Sequence, residues 1–274
     1  MSTTVYYTLP MDALAPDITW SVTTGTVVAA FPLANINDGL PHTIAKITHA
    51  GSCIIDGDLG SSIQCGLVVI VAQNIPVGST VNVIRSDSAT FAAGNETTAL
   101  TIPAVREDGL SVNPFVDLSG VAAKRYIRFD ITAATGTEIA IGELRVEARA
   151  GTTPRTFARL YQQDAYADET RPQTRTRTVR GVEVVYDYGV TRREWVIPVW
   201  KMRDGTTTRD QVLTLLRSVR DNPTAFVFIP DSTINEAWVV TVLDPSSAMK
   251  SLLGPTHWVA NDLRFSELSA GIPV

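Results

Sequence analysis

At 274 residues, with 45% hydrophobic and 19% charged side chains, the chain is long enough for two bodies, each burying its own core. A net charge of −5 argues against general nucleic-acid binding, because phosphate affinity comes from clustered Lys and Arg. No apolar run reaches the length needed to span a bilayer, and MSTTVYYTLP lacks a basic segment leading into an apolar core, so a soluble chain with no secretory signal and no membrane insertion is expected.

From Thr4 to about Ala148 short strands alternate with Gly, Pro, Asn, Asp and Ser, and no helical period is sustained. Strands are predicted at Ile18 to Val22, Thr26 to Ala30, Ser52 to Asp56, Gln64 to Val71, Thr80 to Arg85, Leu100 to Ile102, Arg125 to Ile131 and Glu138 to Glu147. Turn signals recur at the spacing of a β-sandwich. Tyr126, Ile127, Phe129 and Ile131 show partial alternation, which fits a strand with one face in a core. Gly66 to Val71 is continuously apolar and is predicted to be central, covered on both faces.

Asp38-Gly39 and Asp58 before Gly60 suit turns that need positive φ or a side-chain bond back to the backbone. Trp20, Phe31, Phe91 and Phe115 are the candidate loop aromatics, and of these Trp20 and Phe31 are the candidate glycan contacts. Packing against the core or its rim is the competing reading for each. Cys53 and Cys65 are the only thiols, and two cysteines make neither a disulfide scaffold nor a zinc site. They are read as two inert buried thiols, or as one bridge between neighbouring strands.

Phe31-Pro32-Leu33-Ala34-Asn35-Ile36-Asn37-Asp38-Gly39 is similar to the P-A-x-N-x-x-D-G turn of discoidin-like, or galactose-binding-like, jelly-roll domains. Asp56 to Gly60 (DGDLG) resembles their D-L-G strand end, and Gln64 to Arg85 and Arg125 to Val146 follow in the same order. The resemblance implies a jelly roll over residues 1–150, whose end loops in related domains hold sugar, lipid or calcium.

At Ala148 to Pro154 (ARAGTTP) the apolar rhythm stops, so a domain boundary is placed between residues 150 and 151. An Arg-rich stretch of about 155–180 follows, read as a long loop, a β-arm or a disordered link. Arg171, Arg175, Arg177 and Arg180 are its candidate subunit contacts, since guanidinium groups pair bidentately with carboxylates. A solvated loop is the bland alternative. Strands are predicted next at Gly181 to Tyr188 and Arg193 to Met202. Val212, Leu215, Leu216 and Val219 then share one face of a helix from Thr208 to Asp221, with Arg209, Asp210, Arg217 and Arg220 on the other side. Thr208 with Gln211 has the form of a capping box, and Asn222-Pro223 stops the helix. Thr224 to Ile229 and Glu236 to Leu243 supply two more strands, and His257 to Leu268 one or two. Ser246 to Gly254 is a helical turn or a loop. This half is α+β with one main helix, so the whole is mainly β.

The order of Trp195 and Trp200 on strands, the helix, Phe226 to Asp231 and Trp238 resembles the distal tail and baseplate-ring proteins of long-tailed bacteriophages, over roughly Arg155 to Leu268. That resemblance implies a split-barrel-like domain closing into a ring, by family a hexamer, between tail tube and tip or hub proteins. It implies a structural protein of the virion tail, made in the host cytoplasm. The alternative is a carbohydrate or cell-surface binding module of a virion or secreted assembly.

Catalytic signals are missing from the sequence. His42, His49 and His257 are scattered, with no HExxH and no i, i+4 pair. Gly57 to Ser62 lacks the Gly-Lys-Ser/Thr ending of a phosphate cradle, and no serine sits in a G-x-S-x-G elbow. Asp164, Asp168 and Glu169 lack an apolar pocket that would separate their pKa values, and are expected to pair with arginines. No enzyme, cofactor or metal is expected.

Overall fold

The computed structural model describes residues 5–14, 17–40, 42–105, 111–148, 155–157, 166–170, 173–177, 183–187, 192–197, 200–203, 213–219, 225–230, 235–243, 249–251, 257–260 and 263–268. They form two compact units: Met1–Phe157, Phe226–Val239 and Gly271–Val274 make the first, and Ala158–Ala225 with Val240–Ala270 the second. Every strand pairing given below is antiparallel.

The first half runs through β1 (Val5–Tyr7), β2 (Thr19–Thr24), β3 (Thr26–Val27), β4 (Ala45–Thr48), β5 (Ser52–Ile63) and β6 (Cys65–Gln73). It continues with β7 (Thr80–Ser86), β8 (Glu96–Leu100), β9 (Phe115–Asp117), β10 (Lys124–Thr132) and β11 (Glu138–Ala148). A front sheet has the order β2-β5-β10-β7-β8, and a back sheet β3-β4-β11-β6-β9. Between them lies the core: Ile55, Val83, Phe129 and Ile131 from the front meet Ile47, Val68, Ile70, Leu144 and Val146 from the back. This is the β-sandwich that the turn spacing predicts. From Tyr126 to Ile131 β10 alternates half-buried and buried positions, whereas every residue of β6 is buried, as its unbroken apolar run requires. The short strands β1, β4 and β9 carry too few residues for a periodic signal and have no counterpart among the predicted strands.

Both Asp-Gly predictions hold. The Leu40 amide donates to Asp38 Oδ1 at 2.8 Å with Gly39 at φ 71°, and the Gly60 amide donates to Asp58 Oδ1 at 2.8 Å with Gly60 at φ 76°. The second of these is no strand end, however: β5 continues to Ile63, and the irregularity is absorbed where the register with β10 shifts between Lys124 and Tyr126. Cys53 and Cys65 are free and buried, and burial pushes their thiols up to about 12 and about 11. The bridge reading is set aside.

After β11 come β12 (Arg155–Phe157), β13 (Tyr166–Thr170), β14 (Gln173–Arg177), β15 (Glu183–Asp187), β16 (Arg192–Ile197) and β17 (Trp200–Arg203). A helix, α1 (residues 213–219), precedes β18 (Phe226–Ile229), β19 (Trp238–Leu243), β20 (Met249–Ser251), β21 (His257–Ala260) and β22 (Leu263–Glu267). The second unit contains the ladders β13-β16-β22, β17-β21-β20 and β14-β15. In α1, Leu215, Leu216 and Val219 are buried and Arg217 is exposed, as the helical period predicts. Val212, the capping pair and the rest of the predicted helix lie outside the described residues. The stretch left open at Ser246 to Gly254 contains the strand β20.

The division into units is not linear in the sequence. Phe226–Val239 belongs with the first unit, because β1 pairs with both β12 and β18, and the Val227 amide donates to Thr8 Oγ1 at 2.9 Å. Asn113 also holds this segment. Its Oδ1 accepts from the Ala72 amide at 3.0 Å, its Nδ2 donates to the Ala237 carbonyl at 3.1 Å, and its own carbonyl accepts from the Ala237 amide at 2.8 Å. A boundary between residues 150 and 151 therefore differs from the structure, where a pairing partner of the N-terminal strand comes from more than two hundred residues downstream.

Candidate functional site

The predicted glycan contact Trp20 lies on β2, where exposed Thr19, Ser21 and Thr23 alternate with half-buried Trp20 and Val22. The inner face of the strand thus carries the indole. Its ring lies 5.9 Å from the Phe129 ring at 53°, and it rests on the backbone of Gly57, where an added Cβ would come within 2.6 Å of the ring. Only glycine leaves room for the indole there. Trp20 Nε1 is buried with no hydrogen-bond partner among the described residues.

Beside Trp20 opens a depression of about 460 Å³, lined by Ile18, Trp20, Leu33, Ala34, Asn37 and Asp38. Its wall is the 3-10 turn Leu33–Asn37, started by Pro32 and anchored by fully buried Ile36. Polar side chains hold the turn in shape. Asn35 Nδ2 donates to the Ile44 carbonyl at 2.8 Å, Asn37 Nδ2 to the Ile18 carbonyl at 3.0 Å, and the Thr43 hydroxyl to Asp38 Oδ2 at 2.6 Å. The P-A-x-N-x-x-D-G resemblance falls on this turn, and its Asn and Asp shape the wall of the depression. An aromatic edge, aliphatic walls and fixed amide and carboxylate groups can take a small amphipathic ligand.

The other candidates fall elsewhere. Phe31 is not among the residues lining the depression; the Lys46 ammonium sits 4.7 Å from its ring centroid and pairs with Glu138 at 2.8 Å. Phe91 adopts φ 53° and lies beneath the Arg128 guanidinium at 4.1 Å, while Phe115 is buried on β9. Arg175 and Arg177 occupy β14 register positions opposite Val185 and Glu183. Arg171 and Arg180 lie outside the described residues, as does Asp164. Asp168 and Glu169 stand on β13 opposite Glu194 and Arg193. His49 is buried and its Nδ1 accepts from the Gly51 amide at 3.1 Å, a local structural bond. Among the described residues no group of three His, Cys, Asp or Glu is placed to hold a metal, and no helix is long and apolar enough to cross a membrane.

Charge pairs on the front sheet escape a reading of the sequence, because their partners are far apart in the chain. Arg128 binds Asp56 through Nε at 2.6 Å and Nη2 at 2.9 Å, and Arg125 binds Asp58 through both nitrogens at 2.9 Å. The Arg125 hydrogen bonds hold the Asp58 carboxyl below the usual carboxylate range. Arg125 and Arg128 stand three residues apart on β10, which strict alternation places on opposite faces, so the row and its acids emerge only with strand pairing and its register shift.

No protein-family model matches the chain, and no curated protein matches it. Among solved structures it is similar to chitosan-binding module 1 of a chitosanase/glucanase from Paenibacillus sp. IK-5, at 17% identity over 49% of this chain and 97% of that one, with a TM-score of 0.38. A fucose-binding module of Streptococcus pneumoniae matches at 14% identity over 49% and 94%, TM-score 0.38. The lectin domain of lectinolysin, complexed with Lewis B antigen, matches at 14% identity over 48% and 93%, TM-score 0.36. Each of these likenesses covers about half of this chain.

Proposed function

We propose that the protein acts by binding, without a catalytic step, and that the first unit takes a carbohydrate at the Trp20 depression. One observation carries this reading: an indole edge, aliphatic walls and the fixed polar groups of Asn37 and Asp38 surround one open volume of about 460 Å³. Sugars present apolar C–H faces and hydroxyls together, which such a lining matches. The test is a glycan array with the full chain, including chito-oligosaccharides and fucosylated glycans as probes. Ala34→Arg fills the depression from an exposed position without entering the core, so it should abolish binding at unchanged melting temperature; Trp20→Ala should do the same at some cost in stability. Silence across the array, or binding that survives Ala34→Arg, refutes the site.

A second reading rests on the hairpin of β14 and β15, which forms a two-stranded sheet of its own among the described residues. Isolated two-stranded ladders are marginal in water, so this one gains from a partner surface. It carries Arg175 and Arg177, the candidate subunit contacts. With the resemblance of residues 155–268 to distal tail proteins, this supports a self-assembling ring of a phage tail tip, with tube and hub proteins as neighbours, a split-barrel-like second domain and a virion location. Light scattering and electron microscopy decide it. Joint replacement of Arg175 and Arg177 by Glu should dissolve a ring while leaving the monomer folded, and a wild-type chain that stays monomeric at high concentration rejects the ring.

A further inference from the structure

On β11 the side chains of Glu143, Arg145 and Glu147 alternate with the core residues Leu144 and Val146, so the three charges point away from the sandwich core. They are nevertheless sealed, at 2%, 4% and 0% exposure. Their register partners on β6, Val71, Val69 and Leu67, are fully buried as well, so this face of the back sheet meets another layer and not water.

The charges are unevenly matched. Arg145 Nε donates to Glu147 Oε1, whereas Glu143 Oε1 stands 3.8 Å from Arg145 Nη1, an ion pair too long for a hydrogen bond. Oε2 of Glu143 and Oε2 of Glu147 are both buried with no hydrogen-bond partner among the described residues. From the neighbouring elements two more acids face them: Asp12, 1% exposed, at the end of the 3-10 turn Pro10–Asp12, acts on Glu147, and Asp38, beside the turn Leu33–Asn37, acts on Glu143. Among the described residues, three buried carboxylates and one exposed carboxylate therefore act on this site, with Arg145 as the cation between them. Fully ionised, such a group keeps surplus negative charge out of water, which is costly unless a proton is retained.

The same strand anchors the N-terminal segment. Ala13 bridges to Glu147, and the Leu14 amide donates to the Val146 carbonyl at 2.9 Å. Within the segment, the Leu9 amide donates to Asp12 Oδ2 at 2.8 Å and the Asp12 amide to the Leu9 carbonyl at 2.9 Å. Docking residues 9–14 therefore carries Asp12 into the acidic site.

We propose that Glu143 and Glu147 form a proton-loaded latch: residues 9–14 stay docked on β11 while this pair retains a proton, and loosen when rising pH removes it. The direction follows from the cluster. Burial pushes both carboxyls above their usual range and Arg145 pulls them back, while Asp38 pushes Glu143 and Asp12 pushes Glu147 further up. A raised carboxyl holds its proton in the docked state more tightly than in the released one. Docking is thus fully favoured below the ordinary carboxylate value of 4.5 and weakens as pH climbs through the raised value.

Hydrogen exchange on the full chain tests this, with amide protection corrected for the intrinsic chemical rate. Between pH 4.5 and 8, protection at Leu9, Asp12 and Leu14 should fall by up to about tenfold per pH unit over the window in which one proton is released. Phe129 in the front sheet is the internal reference and should not follow. Glu143→Gln and Glu147→Gln mimic the protonated group, and at least one should flatten the fall. A flat wild-type profile, an equal fall at Phe129, or unchanged slopes in both variants overturns the latch. Should a variant fail to fold, the wild-type comparison of Leu14 with Phe129 still decides.

Discussion

The outer faces of the two sheets of the sandwich carry the same chemistry, arginines set among carboxylates, with opposite outcomes. On the front sheet Arg125 and Asp58 are 45% and 33% exposed and pair through two hydrogen bonds at 2.9 Å, and the less exposed Arg128 and Asp56 pair through bonds at 2.6 and 2.9 Å. Water satisfies whatever the pair leaves open, so each bond has good geometry and little consequence for stability. On the back sheet Glu143, Arg145 and Glu147 lie in a row of one strand, sealed from water, with two carboxylate oxygens unmatched among the described residues. There the protein itself must supply every counter-charge, and protonation is the remaining way to lower the cost. Burial, and not residue type, decides whether an ion pair matters.

Removing the segment that returns to the first unit should do the most damage. A chain ending at residue 157 loses Phe226–Val239 from the first unit and leaves Asn113 and Thr8 without their bonds to Ala237 and Val227. It should lose its cooperative thermal transition, and a sharp wild-type melt by circular dichroism would show the returning segment to be dispensable. Arg145→Met should come next, at about 3–5 kcal/mol in denaturant titration, since it strands buried carboxylates. Its cost should shrink as pH falls and the acids become neutral, and a cost that grows at low pH would reverse the sign argued for the cluster. Asn113→Ala leaves the Ala72 amide and the Ala237 carbonyl short of partners and should cost about 1–3 kcal/mol. Arg125→Ala, on the solvated face, should leave the denaturation midpoint close to that of the wild type. A loss there as large as that of Arg145→Met would erase the distinction between the faces.

Much of the sandwich was legible because its signals are local. The apolar run Gly66 to Val71, the alternation from Tyr126 to Ile131 and the two Asp-Gly turns all appear where predicted. The candidate site was legible in part. Trp20 does line a depression, but Phe31, equally aromatic and equally near a turn, is occupied with Lys46. What separates them is that Trp20 faces the bare backbone of Gly57 on a paired strand, a relation that sequence distance hides. The wall residues Ile18 and Leu33 carry no chemical signature and become part of a site only through the turn that brings them together.

The amino-acid order alone settled what depends on neighbours in the chain: strand periods, turn chemistry, the helical face of Leu215, Leu216 and Val219, and the all-β character of the first half. Tertiary structure alone settled what lies over each face. Tyr126-Ile127-Arg128-Phe129-Asp130-Ile131 and Glu143-Leu144-Arg145-Val146-Glu147 both read as one polar side and one apolar side. A period of two states that successive side chains point to opposite faces, and is silent about whether the polar one meets solvent or a second layer. On β11 the N-terminal segment docks beside that stripe, with Ala13 bridging to Glu147, and such a tertiary contact is what the alternation of the sequence cannot announce.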